Sequence, residues 1–311
     1  MKILLFGANG QVGWELQRSL SPLGQVIALD RHSTQLCGDL ANLPGIADAV
    51  RLVRPDVIVN AAAYTAVDKA ESDIDNVHAI NALAPGVLAV AAKAVGAWIV
   101  HYSTDYVFDG SGSKPWIETD PTGPLNVYGR TKLEGERRVA ESGARHLIFR
   151  TCWVHSAIGE NFIQSILKLA LKSNPLCVLV DPVGAPTSAK LVADITANVL
   201  RFIKKKGGAD DLNFSGLYHL CSDGEVSRHA YAQWIVHQAR LRGMPLTLAC
   251  DEVQAITSAN VMQLARRPAN SRLNCHKLNA TFGLALPIWQ SGVADTINEI
   301  SWLWASCDVL S

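Results

Sequence analysis

No two of the seven cysteines, at positions 37, 152, 177, 221, 250, 275 and 307, stand as a CxxC pair. An odd number of scattered thiols excludes a disulfide framework and a structural zinc site, and points to a reducing, cytoplasmic setting. Net charge is missing as well, because 28 Lys and Arg balance 28 Asp and Glu. Nothing in the overall field therefore draws the chain to nucleic acid or an anionic membrane, and an anionic ligand has to be gripped by locally placed cations. The one basic cluster, Lys204 to Lys206 ahead of Gly207 and Gly208, reads as the solvated end of a helix. Long apolar runs are lacking too. The strongest candidate, residues 85–100, is interrupted by Lys93 and falls short of the roughly 18 to 20 residues a membrane span needs. The opening stretch of the chain holds only a short apolar strand where a signal peptide carries a longer hydrophobic region. Internal repeats and low-complexity linkers are absent.

What the sequence does contain is ample core material, 49% hydrophobic against 18% charged residues over 311 positions, enough for about two structural units. Ile3-Leu4-Leu5-Phe6 is a continuous apolar run, as in a strand buried on both faces, and Val12, Leu16 and Leu20 then recur at helical spacing. Residues 26–29, 56–60, 98–103 and 146–150 repeat the strand signature with helical segments between them. This alternation predicts an α/β fold, a Rossmann-like doubly wound parallel sheet with a smaller, mixed α/β substrate lobe. The dinucleotide-binding unit is expected to cover residues 1–172, with segment 190–222 returning to it through a helix (190–204) and a strand (216–220). The lobe is expected to comprise 173–189 and 223–311. Within 161–311 the pattern also predicts helices at 161–172, 227–240 and 291–304, and strands at 176–180 and 245–249.

Gly7-Ala8-Asn9-Gly10-Gln11-Val12-Gly13 reads GxxGxxG between the first strand and the first helix. Glycines there let the backbone turn tightly and approach a pyrophosphate, whose charge meets the free N–H groups of the helix start. Asp30 closes the second strand at the offset of a carboxylate that grips adenosine ribose hydroxyls, which favours NADH, while Arg31 beside it is able to accept a 2′-phosphate and so NADPH. Asp39-Leu40 and Ala61-Ala62-Ala63-Tyr64, with Thr65, follow at the carboxyl ends of strand-like segments and suit contacts to adenine and the nicotinamide-side ribose.

Tyr128 and Lys132 stand four residues apart, one turn of helix, so that a phenol and an ammonium face the same way. A nearby positive charge favours the ionised phenol and moves its pKa of about 10 toward neutrality, where proton exchange is useful. Upstream, His101-Tyr102-Ser103-Thr104-Asp105 ends a central strand. Thr104, with Ser103 as the neighbouring alternative, supplies a hydroxyl able to donate to a carbonyl oxygen gaining charge. Asn81 is a candidate for ordering a water near Lys132, against the plainer reading of an amide on a helix surface.

These motifs, together with residues 103–110 and 124–129, make the chain resemble the extended short-chain dehydrogenase/reductases acting on nucleotide sugars. Residues 6–24, 60–71, 149–154 and 184–187, and Arg266-Arg267-Pro268 with Ser271-Arg272-Leu273, resemble more narrowly the dTDP-4-dehydrorhamnose reductase family, and the match runs essentially end to end. The resemblance implies NAD(P)H-dependent reduction of the C4 keto group of dTDP-4-dehydro-L-rhamnose, the last step of activated rhamnose synthesis for cell-surface polysaccharide. It implies Tyr128 as the acid, Lys132 as the residue that holds the nicotinamide ribose and lowers the phenol's pKa, Thr104 and Asp105 on the sugar, and Trp153 as the sugar-side wall. Arg266, Arg267 and Arg272 are then the expected pyrophosphate clamps of the lobe. The family's magnesium and dimer contact uses acidic groups, among them the position of Glu15. Here Lys190 falls where a second carboxylate is expected, so magnesium is expected to be dispensable while a homodimer stays compatible with the resemblance. A 4,6-dehydratase needs a glutamate directly after Thr-Asp, where this chain has Tyr106. A 4-epimerase and a non-catalytic nucleotide-binding subunit share the fold, and intact Thr104, Tyr128 and Lys132 argue against the latter.

Overall fold

A computed structural model describes residues 1–172, 175–206 and 213–308. Gly207 and Gly208, read above as following a solvated helix end, lie outside the described residues. The central sheet has six parallel strands in the order β6-β5-β4-β3-β1-β2. They are β1 (Lys2–Phe6), β2 (Gln25–Leu29), β3 (Val57–Asn60), β4 (Trp98–Thr104), β5 (Arg145–Thr151) and β6 (Gly216–His219). Successive side chains of a strand point to opposite faces, and the apolar runs therefore feed two separate cores. Ile3, Leu5, Val59, Val100 and Phe149 pack on one face under α1 (Gln11–Leu20) and a long returning helix, residues 189–206. Leu4, Phe6, Ile58, Ile99 and Ile148 pack on the other face. That face is covered by α2 (Leu43–Val53), α3 (Ala84–Val95) and α4 (Val127–Glu141). Residues 216–220, expected to rejoin the sheet, do so through β6 beside β5.

One continuous helical stretch, Ile74–Val95, has the length and mean hydropathy (1.4) of a membrane span. Its α3 portion buries Leu88, Ala89 and Ala92 against the sheet, which is the packing of a core helix.

A third apolar cluster joins α5 (Phe162–Ala170), helix α7 (Arg228–Leu241) and α8 (Trp289–Asp308), the returning helix Ala189–Lys206 being α6. Beside it lie the parallel pair Leu176–Leu179 and Val253–Ile256. In α5, Ile163, Ile166, Leu167 and Ala170 bury their face in this third cluster. One expectation is corrected here. Residues 245–249 form no strand. The N–H groups of Thr247 and Leu248 donate instead to the carbonyl of Ala170, one of the acceptors that a helix end leaves open.

Helix α4 is fixed to the sheet by a buried ion pair. Arg150 donates from Nε and Nη2 to the two carboxylate oxygens of Glu136 at 2.9 and 2.7 Å, with side chains only 4% and 6% exposed. Such a pair is costly to desolvate and more costly to break, since either charge left alone stays buried. Glu136→Ala is expected to lower unfolding stability by about 3 to 5 kcal/mol in urea titration, whereas a loss under about 1 kcal/mol, the size typical of an exposed pair, would show that water reaches Arg150.

Candidate active site

The carboxyl ends of β1 to β5 open into one cleft of about 800 Å³. Its first half is built by the turn after β1. Gly7 adopts φ +88°, and a Cβ there would stand 2.6 Å from the backbone nitrogen of Ala62. A Cβ on Gly13 would come within 1.9 Å of the Gly7 carbonyl oxygen, so only glycine lets α1 begin this close to the strand. No side chain caps α1, which leaves N–H groups of its first turn free for an anion. Gly7, Gly10, Gln11 and Val12 line the cleft, and Gly13 lies behind them as a packing residue. Asp30, Arg31, Asp39 and Leu40 form one wall and Ala61, Ala62, Ala63, Tyr64 and Thr65 the facing one. The backbone N–H of His32 is the main cause holding the Asp30 carboxyl below its usual range, helped by Ser33 and Asn9. Asn161, which the spacing did not single out, also lines the cleft and donates to the Gln11 side chain at 3.0 Å.

The second half belongs to β4 and α4. Asn126 caps α4 by accepting from the Gly129 N–H at 2.8 Å, and a Cβ on Gly129 would stand 2.2 Å from the Tyr106 carbonyl oxygen. The helix therefore starts directly against the end of β4, bringing Tyr128 and Lys132 beside Thr104 and Asp105. Thr104 is the strand hydroxyl that stands by the phenol, near enough to oppose the effect of burial on Tyr128. Its Oγ1 accepts from the Tyr106 N–H and donates to Asp105, both at 3.1 Å. The neighbouring Ser103 hydroxyl is buried without a partner among the described residues. Burial pushes the Asp105 carboxyl up to about 6, opposed by hydrogen bonds from Ser271 and Thr104.

Lys132 is fully buried. Its Nζ donates to the Tyr102 carbonyl at 2.6 Å and lies 3.4 Å from His101 Nε2. Burial lowers this ammonium to about 8, opposed by the charge of Glu136. Burial also pushes the Tyr128 phenol up, and Thr104 offsets only part of that. The direction is opposite to the one expected from the Tyr-Lys spacing, because removal from water acts on the phenol more strongly than any cation nearby. Asn81 is not a surface amide. It is 1% exposed, accepts from the Tyr64 N–H at 2.9 Å and donates to the Tyr64 carbonyl at 3.0 Å, so it clamps the Ala61–Thr65 wall.

Trp153 lines the third side at φ +47°, a conformation bulky residues rarely adopt. The expected clamps stand elsewhere. Arg267 donates to Asp68 at 2.6 Å and stands by Tyr106, which lines the cleft that Arg267 itself does not line. Arg266 is exposed, and its carbonyl accepts from Asn126. Arg272 pairs with Glu225 at 2.7 Å on a separate cavity of about 570 Å³. A cation that lines the cleft, as Arg31 and Lys132 also do, is Arg228, at the start of α7. No motif spacing marked it, since its place depends on how the third cluster folds over the sheet. Glu15 and Lys190 line a small hollow with Asp295 and Glu299, and none of these four lines the cleft.

A family model described as the RmlD substrate binding domain matches residues 1–302. A curated dTDP-4-dehydrorhamnose reductase of Escherichia coli (strain K12) is 51% identical, covering 96% of this chain and 98% of that protein. Among solved structures, a dTDP-4-dehydrorhamnose reductase from Clostridium acetobutylicum superposes with a TM-score of 0.84 at 35% identity, over 96% of this chain and 99% of that one. One from Bacillus anthracis, in complex with NADP, gives 0.85 at 29% identity over the same shares. With a glycine loop, a Tyr-Lys pair and a strand-end threonine in one cleft, and relatives of this identity over nearly its whole length, the chain belongs to the dTDP-4-dehydrorhamnose reductase family.

Proposed function

We propose that the chain catalyses NAD(P)H-dependent reduction of the C4 keto group of dTDP-4-dehydro-L-rhamnose to give dTDP-L-rhamnose, completing activated rhamnose for cell-surface polysaccharide. The observation that carries this is the Tyr128 phenol and the Thr104 hydroxyl, brought together in the cleft that the glycine loop opens.

The cradle fits a dinucleotide, since a Cβ at Gly7 would fill it and the N–H groups of α1 face it uncapped. When bound, the dihydronicotinamide supplies a hydride. Gly10, Gln11 and Val12 hold the pyrophosphate, and Asp30 with Arg31 the adenosine ribose. Asp39, Leu40 and residues 61–65 enclose the base and the second ribose. At the reacting end Tyr128 gives its proton to the C4 oxygen. A reduction needs that acid protonated at the start, and burial keeps it so. Thr104 donates to the same oxygen as charge builds there, Asp105 holds the sugar, and Trp153 forms its wall. Lys132 stays an ammonium up to about pH 8, which lets it hold the ribose and steady the phenolate that Tyr128 becomes.

In this reading residues 1–172 and 190–222 carry the dinucleotide, and 173–189 with 223–311 carry the sugar nucleotide, α5 contributing to the latter's core. The protein works in the cytoplasm, and a homodimer is its proposed assembly. Magnesium plays no part: Arg18 pairs with Glu15 at 3.3 Å, and Lys190 and Arg18 already bring positive charge to Glu299, so the hollow does not fit a divalent cation.

Following NADPH absorbance with dTDP-4-dehydro-L-rhamnose tests the reaction. Stoichiometric consumption is expected, and catalytic recycling would indicate an epimerase instead. Tyr128→Phe is expected to slow turnover by about 10²- to 10⁴-fold while NADPH affinity stays within about threefold; an unchanged rate would remove the phenol from the chemistry. Dialysis against EDTA should leave the rate unaltered, and a loss restored by Mg²⁺ would contradict the reading of Lys190.

A further inference from the structure

Besides Arg31, assigned above to the adenosine ribose, the cleft holds a second guanidinium that no carboxylate pairs among the described residues. Arg228 is the first residue of α7, next to the Ser227 cap. Its guanidinium carbon lies 3.7 Å from the centre of the Trp153 ring and 4.7 Å from that of Phe162. Both rings stack in turn on Tyr231, at 6.2 and 5.2 Å. A planar fork held between aromatic rings keeps a fixed direction with little entropy left to lose on binding.

Among the described residues the Arg228 side chain makes no hydrogen bond and no ion pair, in contrast to Arg267 on Asp68 and Arg272 on Glu225. Asp105 is the carboxyl whose charge reaches it, but its Oδ1 accepts from Thr104, and among the described residues no ion pair joins it to Arg228. Arg228 is half-buried at the cleft, and a ligand that brings acceptors to its donors gains charge-assisted hydrogen bonds there. In this reading the cofactor's phosphates have the glycine loop and α1, while Arg228 stacks on Trp153, the proposed wall on the sugar side.

We propose that Arg228 binds the diphosphate of the sugar nucleotide, its fork held ready by Trp153 and Phe162. The idea rests on the substrate class proposed above and deepens it. A nucleoside diphosphate sugar carries two negative charges on non-bridging oxygens, the geometry a guanidinium meets bidentately.

Equilibrium binding of dTDP, thymidine and NADPH to the full chain and to Arg228→Gln tests the assignment. The dissociation constant of dTDP is expected to rise about 10- to 100-fold, with thymidine and NADPH each within about threefold. Arg228→Lys, which keeps the charge and loses the fork, is expected to fall between. Equal weakening of dTDP and thymidine would mean that the residue only shapes the pocket through Trp153, and a selective loss of NADPH would give it to the cofactor; either overturns the proposal. Should the Gln variant not fold, the Lys variant decides by itself: dTDP has to weaken at least about threefold with thymidine unaffected, and an unchanged value sinks the assignment. These are binding readouts. A wild type that reduces the 4-keto sugar nucleotide but binds dTDP independently of Arg228 removes this inference alone, whereas a wild type that binds dTDP through Arg228 but never turns over removes the reductase reading alone.

Discussion

An ammonium group with almost no access to water organises this cleft. Lys132 leaves solvent when α4 packs on β4, and desolvating such a charge costs several kcal/mol. The Tyr102 carbonyl at 2.6 Å and the charge of Glu136, one turn further along the helix, offset that cost. Glu136 is held in turn by Arg150 of β5. Tyr128, Lys132 and Glu136 recur every four residues, so one face of α4 carries the phenol, the ammonium and the anchor together. The register that fixes Glu136 to β5 also fixes how far Tyr128 reaches toward Thr104. Packing and proposed chemistry thus share one constraint, and the close approach allowed by Gly129 is what lets the helix sit there.

Across the cleft the constraint is conformational. Trp153 holds a left-handed backbone that costs on the order of 1 to 3 kcal/mol. Its ring is caught between Arg228 and Tyr231, and Gly184 leaves room beside it, since a Cβ there would stand 2.9 Å from the indole. Contacts from the third apolar cluster therefore hold the ring against the strain. A wall so fixed, facing an acid so fixed, leaves the small ligand as the part that must orient itself, which is the arrangement that lets binding energy be used for reaction geometry.

How much of this could be read from the chain varies with the range of the interaction. Local signals were clear. The apolar run of β1, the glycine turn and the helix Gln11–Leu20 stand where periodicity put them, and the six-strand parallel sheet follows from the strand-helix alternation. The residues expected at the glycine loop, at strand ends and on the Tyr-Lys turn line one cleft, with Gly13 just behind it, because each lies next to an element end whose position local pattern determines. Non-local features were not legible. Residues 245–249 have a strand's composition, but their N–H groups cap α5. Arg267 and Arg272 have the right chemistry for phosphate, yet Asp68 and Glu225, distant in sequence, take them. Arg228 carried no motif, and Asn81, a candidate for ordering water near Lys132, bonds instead to the Tyr64 backbone; only the packing of distant segments sets either position.

The central claim is that hydride reaches C4 of a keto sugar in this cleft while a buried phenol protonates its oxygen. It is tested most directly by turning over dTDP-4-dehydro-L-rhamnose with NADPH deuterated at both C4 positions of the nicotinamide and locating the label by NMR. The account predicts a single deuterium on sugar C4 of dTDP-L-rhamnose, matched to the NADPH oxidised. Product carrying no deuterium at that carbon, or label retained entirely in the cofactor, would contradict it.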